Sequence, residues 1–169
     1  MTSAQTRHVS LYLSTISDFE RIGDHASGIA HMSNEMNEQH TGFSGAAWDE
    51  LNVVMEAVRE VINVTCHAFL DEDTEEAKKV APLGVVITDL CENLKHSHVI
   101  RLSNGTCGLE QGAVFNDILN SFSRIAAHCA GVAVALMKSE ENGDDIHIHD
   151  SRVYAGNDRE YHEYYEEYH

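Results

Sequence analysis

Glu20 and Asp24 lie four residues apart, the spacing at which two side chains on a helix share a face and can aim oxygens at one cation. Asp18 and His25 flank them, so residues 18–25, Asp-Phe-Glu-Arg-Ile-Gly-Asp-His, form a candidate metal-binding stretch. A hard cation takes six or more oxygens, so other helices would have to supply the rest of the shell. The alternative is structural: Glu20 and Asp24 pair with Arg21 or with a neighbouring helix as a half-buried polar face.

A damaged copy of this octapeptide returns at 121–128 as Ser-Phe-Ser-Arg-Ile-Ala-Ala-His. At an offset of 103, which carries Phe19 to Phe122, the residues Arg21, Ile22, His25, Gly28 and Ala30 recur as Arg124, Ile125, His128, Gly131 and Ala133. The carboxylates do not recur: Asp18, Glu20 and Asp24 meet Ser121, Ser123 and Ala127. One helix is used twice, and its acidic chemistry survives in one copy. Any metal is therefore expected at Glu20 and Asp24 and none beside Ser123 and Ala127, because a hydroxyl and a methyl group cannot replace two carboxylates.

Other groupings carry less. Cys129, next to His128, falls on a core position and reads as a buried structural thiol. His96 and His98, two apart, point to different sides of a helix and make poor joint ligands. His147 and His149 lie in an acidic tail that solvates such side chains. The one Glu with His three residues on is Glu166 with His169, at the end of the chain, and no nucleophile elbow, phosphate-binding glycine loop or His-Glu-x-x-His occurs. The chain is not expected to be an enzyme.

The elements that must hold these residues are helical, since four segments show helical periodicity and Pro82 is the one proline. The first helix spans about 4–38, with Tyr12, Ile16, Phe19, Gly23, Ala26, Ala30 and Ser33 as its inward stripe, widened by Ile22 and Ile29. The second presents Trp48, Leu51, Met55, Val58, Ile62 and Phe69 and ends near Leu70; Asp73 or Thr74 caps the third, whose stripe is Val80, Leu83, Ile87, Leu90 and Leu94. Pro82 lies inside that pattern, where it either kinks the helix or precedes its regular part, and a kink is the preferred reading. The fourth repeats Phe115, Ile118, Phe122, Ile125, Cys129, Val132 and Leu136 at heptad spacing. Four long helices on short loops predict an all-α, up-and-down antiparallel four-helix bundle over 1–139. From 140 to 169 the composition shifts to Asp, Glu, His and Tyr, with a linker at 142–145 and a short amphipathic helix whose aromatic face is Tyr161, Tyr164, Tyr165 and Tyr168. That face packs on the bundle or docks on a partner.

Composition narrows the function classes. Eleven Lys and Arg against 28 Asp and Glu give a net charge of −17, which repels phosphate backbones and anionic headgroups and argues against nucleic-acid binding. The most apolar stretch, 125–137, is interrupted by His128 and is shorter than the roughly 18 residues of a membrane span. Four widely spaced cysteines suggest a reducing, cytoplasmic setting.

Residues 18–25 resemble the signature of PhoU-type domains, whose helices carry E/D-x-x-x-D motifs. Val80-Ala81-Pro82-Leu83, His98-Val99-Ile100-Arg101-Leu102, Gly105-Thr106-Cys107 and Arg124-Ile125-Ala126-Ala127-His128-Cys129 sharpen the likeness toward the PhoU-like domain of bacterial sodium/phosphate cotransporters, over most of residues 8–137. The resemblance implies three-helix repeats with the signature on the third helix, so that this chain holds the last helix of one repeat and one complete repeat. It implies a regulatory domain at the inner face of the membrane that works by contact with a transporter, with Glu20 and Asp24 as ligands of a divalent or ferric metal. A metal- or small-ligand-binding sensor bundle is the alternative. Where such domains place acid or amide, this chain has Ala81, Gly84, Thr88, Ser123, Ala127 and Gly131. At Gly84, Thr88, Ser123, Ala127 and Gly131 the substitutions also remove volume between the third and fourth helices, which are expected to close up rather than leave a pocket. A first helix without its two usual neighbours is expected to find cover in a homodimer or under the aromatic face of 161–168.

Overall fold

The structure, a computed structural model, describes residues 3–140 and 158–168, and every regular element in them is helical: α1 (Ser3–Glu38), α2 (Gly45–Asp71), α3 (Thr74–Ala77), α4 (Val80–Ser103), α5 (Leu109–Glu140) and α6 (Asp158–Tyr168). Local chemistry sets the boundaries. Ser44 caps α2 by accepting the Ala47 N–H, and Glu72, in the left-handed region at φ 52°, ends it by donating its N–H to the Ala68 carbonyl. Asp73 caps the single turn α3 with Oδ1, which accepts the N–H groups of Glu75 and Glu76 at 3.0 Å each.

The kink preferred at Pro82 is not what the chain does. The break falls earlier, at Lys78 and Lys79, and Pro82 is the third residue of α4. First-turn N–H groups have no intrahelical partner, so a proline there removes nothing the helix uses.

α5 is the central element, and its whole heptad stripe from Phe115 to Leu136 is buried. Around it, α2 and α4 pack on α5 and on each other, whereas α1 packs mainly along α5 and meets the end of α2 through Tyr12 and Phe19 on Phe69. α4 runs antiparallel to α5, with Gly84 beside Ala126 and His98 beside Gly112, and antiparallel to α2, with Arg101 on Glu50. α4 buries Val80, Leu83, Ile87 and Leu90 as its stripe predicts. By length and composition α5 is apolar enough to cross a membrane, but its apolar side chains are those that fill this core.

On α1 the inward stripe is one residue out of step with the predicted one. Leu11, Thr15 and Met36 are buried and Asp18, Ile22, His25, Ile29 and Met32 half-buried, while Tyr12, Ile16, Gly23, Ala26, Ala30 and Ser33 are exposed. Phe19 is half-buried, edge-on to Phe69 at 5.0 Å. The helix turns polar Thr15, Asp18 and His25 toward α5 and leaves its more apolar flank outside, the reverse of what hydropathy selects. α2 shows a smaller rotation: Val54, Val61 and Thr65 fill the core, Met55, Ile62 and Phe69 sit at its margin, and Trp48 is exposed.

α6 packs on α4 and α2 rather than on α1. Tyr161 Oη donates to Asp89 Oδ2 at 3.0 Å, and Tyr168 donates to Glu60. The cover expected for α1 from residues 161–168 therefore goes elsewhere, because phenol donors match carboxylates on α2 and α4. The linker 142–145, His147 and His149 lie outside the described residues.

Candidate functional site at the contact of the two repeat copies

The two copies of the octapeptide face each other across the α1–α5 interface. Asp18 Oδ1 lies 2.9 Å from His128 Nδ1, with both side chains about three-quarters buried. The His25 and His128 rings stack at 5.9 Å and 24°. Gly131 makes room: a Cβ there would fall 2.8 Å from Asp18 Oδ2.

Antiparallel packing of two copies gives this contact a local pseudo-two-fold character. His128 is the copy of His25, so the counterpart of Asp18 meeting His128 is Ser121 meeting His25. Ser121 and His25 do share the walls of one groove, together with Arg124. Ser121 Oγ, however, donates to the Asp117 carbonyl at 2.9 Å. One half of the interface thus holds a histidine–carboxylate pair, and the other a histidine without its carboxylate. Burial pushes the His25 pKa below its ordinary 6.5, and the fields of His128 and Arg124 push the same way against Asp24.

The candidate metal ligands divide between two sides of α1. Asp18 and His25 face α5, whereas Glu20 and Asp24 are exposed and enter no ion pair among the described residues. Those residues contain no group of three or more His, Cys, Asp or Glu side chains able to hold one ion. Glu20 and Asp24 remain a pair of exposed carboxylates four residues apart on one helix, with no further His, Cys, Asp or Glu completing a group of three beside them among the described residues. Among the described residues neither carboxylate pairs with Arg21 or with another helix.

Cys129 is fully buried, and burial raises its pKa to about 11; burial also raises that of Cys91, so neither thiol is poised as a nucleophile. His96 is exposed and His98 buried. Helices α4 and α5 do not close up fully: an apolar groove of about 300 Å³ remains, walled by Ala81, Gly84, Val85, Thr88, Ala126 and Ala127. At Gly84 no side chain enters the groove, and a Cβ there would stand at ordinary contact distance, 3.9 Å, from the Ala126 carbonyl. Gly131 plays another part, under Asp18.

Sequence reasoning did not find the Asp18–His128 pair. The signal was present in the repeat itself, since two copies of one helix that pack together antiparallel bring the start of one motif to the end of the other. No protein-family model, curated protein or solved structure matches the chain.

Proposed function

We propose that this chain is a non-catalytic, PhoU-like regulatory domain that acts by contact, of the kind attached to sodium-dependent phosphate transporters, with α1 and the α2–α4–α5 unit as the end of one repeat and one complete repeat of an up-and-down bundle. The observation that carries this reading is the outer flank of α1. Val9, Leu13 and Ile16 are 46%, 69% and 62% exposed, at helical spacing, on a helix that rests mainly on α5 and meets the end of α2 at Phe69. α6, the other candidate cover within the described residues, is committed to α2 and α4. A contact surface explains the apolar flank, and the resemblance of residues 18–25 and 80–129 supplies the kind of partner.

Photo-crosslinking from positions 13 and 16 in cells, with position 92 on α4 as control, tests the reading. A polytopic transporter should be captured from positions 13 and 16 and not from 92, and Leu13→Glu should alter phosphate uptake. Uptake unchanged in Leu13→Glu, or capture equal from position 92, would remove the proposal. Light scattering on the same variant separates a second copy of the chain as occupant, since loss of a dimer would then accompany the loss of crosslinking.

A further inference from the structure

Helix α6 is an acidic helix seated on acidic ground. It holds Asp158, Glu160, Glu163, Glu166 and Glu167 against one cation, Arg159. Beneath it, Asp89 on α4 accepts from the Tyr161 phenol at 3.0 Å, and Glu60 on α2 accepts from Tyr168. Glu56 on α2 and Glu76 on α3 act on the same tyrosine face. Lys79, which feels the Glu160 charge, is already paired with Glu76.

The seat suits the tyrosines of α6 and not its acids. Tyr161, Tyr164 and Tyr168, at steps of three and four, pack against the core as one face. Glu160 Oε2, by contrast, is buried with no hydrogen-bond partner among the described residues, an unfavourable state for a carboxylate. Beside it a groove of about 480 Å³ stays open between Asp89, Glu92 and Asn93 of α4 and Tyr161, His162 and Tyr165 of α6. A helix this short is marginal in water, so docking is what keeps it formed. Covalent attachment through residues 141–157 raises its local concentration, to about millimolar for a short linker, so that even a poorly matched helix stays on.

We infer that the face of α2 and α4 beneath α6 is a docking site for a basic amphipathic helix of a partner protein, and that α6 is the intramolecular occupant which that helix displaces. The partner helix carries aromatic residues at the spacing of Tyr161, Tyr164 and Tyr168, and Lys or Arg where α6 has Glu. Charge complementarity selects it. Such a helix keeps the phenol contacts to Glu60 and Asp89 and turns the acid-on-acid repulsion around them into attraction. A net charge of −17 draws a basic partner in at long range. A second copy of the chain is a poorer occupant, because the α6 it offers brings the same acids. This face belongs to α2 and α4 and not to the α1 flank, so the inference stands apart from the proposed function.

Three labelled peptides titrated against the full chain test the inference: residues 158–168 in native sequence, the same peptide with Glu160→Lys, Glu163→Lys, Glu166→Lys and Glu167→Lys, and a scrambled form of that basic peptide. Anisotropy reads binding, and hydrogen exchange reads the chain's own α6. The basic peptide should bind saturably and strip protection from α6, with the native and scrambled peptides at least about tenfold weaker. Added salt should weaken the basic peptide. Glu60→Gln with Asp89→Asn keeps acceptors for Tyr168 and Tyr161 but removes both charges, and should weaken the basic peptide about tenfold. The peptide comparison uses the native chain, so it decides even where that double variant does not fold. No saturable binding, binding that leaves α6 protected, a scrambled peptide as tight as the basic one, or unchanged binding in the folded double variant would overturn the site. A native peptide as tight as the basic one would overturn it too, in favour of α6 exchange between copies.

Discussion

Asp18 reaches from α1 to His128 on α5, Oδ1 to Nδ1 at 2.9 Å, and the residue that lets it do so is Gly131, one helical turn beyond the histidine. The same carboxylate that sequence spacing offers to a metal is thus used to join two helices. Its partner is the histidine of the degenerate motif, so loss of acid from that copy leaves one pair where the repeat had room for two.

Gly131→Ala places a methyl group 2.8 Å from Asp18 Oδ2 and must displace it. The expected cost is about 1–2 kcal/mol from the broken hydrogen bond, set against roughly 1 kcal/mol of helix propensity gained. In an Asp18→Ala background the clash is gone and the same substitution should stabilise. Urea unfolding of the double-mutant cycle reads this directly; additive effects would mean that the two residues do not interact.

Ser121→Asp should restore a carboxylate beside His25. In the native chain the His25 pKa is below 6.5, so between its folded value and 6.5 the unfolded state binds more protons, and stability falls as pH falls through that window. The new carboxylate should raise the pKa and reverse the sign, adding stability that is full below 6.5 and lost as pH rises through the new value. NMR titration of the His25 ring, with unfolding near pH 5.5 and 8, checks both; a His25 pKa unmoved by the substitution would show that position 121 does not face it.

Leu11→Ala and Ile16→Ala separate the two flanks of α1. Leu11 is 3% exposed and its truncation should cost about 2–5 kcal/mol, whereas Ile16, at 62%, should cost about 0.5 kcal/mol or less in the isolated chain. Thermal or denaturant unfolding ranks them, and equal costs would return α1 to the stripe predicted from hydropathy.

Helix α6 sets acid against acid, with Glu160 and Glu167 close to Glu60 and Glu76, and phenol donors make that docking work. Burial and the nearby Glu60 push the Tyr164 pKa to about 12, and burial with the Glu60 hydrogen bond raises that of Tyr168. Raised phenol values add stability below pH 10 that is lost as pH climbs through them. Tyr168→Phe should loosen α6 by about 1 kcal/mol, and added salt should tighten it by screening the carboxylates. Hydrogen exchange of residues 158–168 measures each, and protection that falls with salt would show that repulsion is not what opposes docking.

The heptad of α5 was legible because every face of that helix that matters is apolar and meets apolar neighbours. So were the all-α class, the Asp73 cap and the stripe of α4, each decided by residues within a turn or two. What sequence alone could not decide was the rotation of α1. Hydropathy ranks Tyr12 and Ile16 above Thr15, Asp18 and His25, yet the polar set faces inward, because Asp18 finds His128 110 residues away and Thr15 bonds back to the Leu11 carbonyl. Buried polar groups are acceptable only when paired, and pairing is a property of two helices at once.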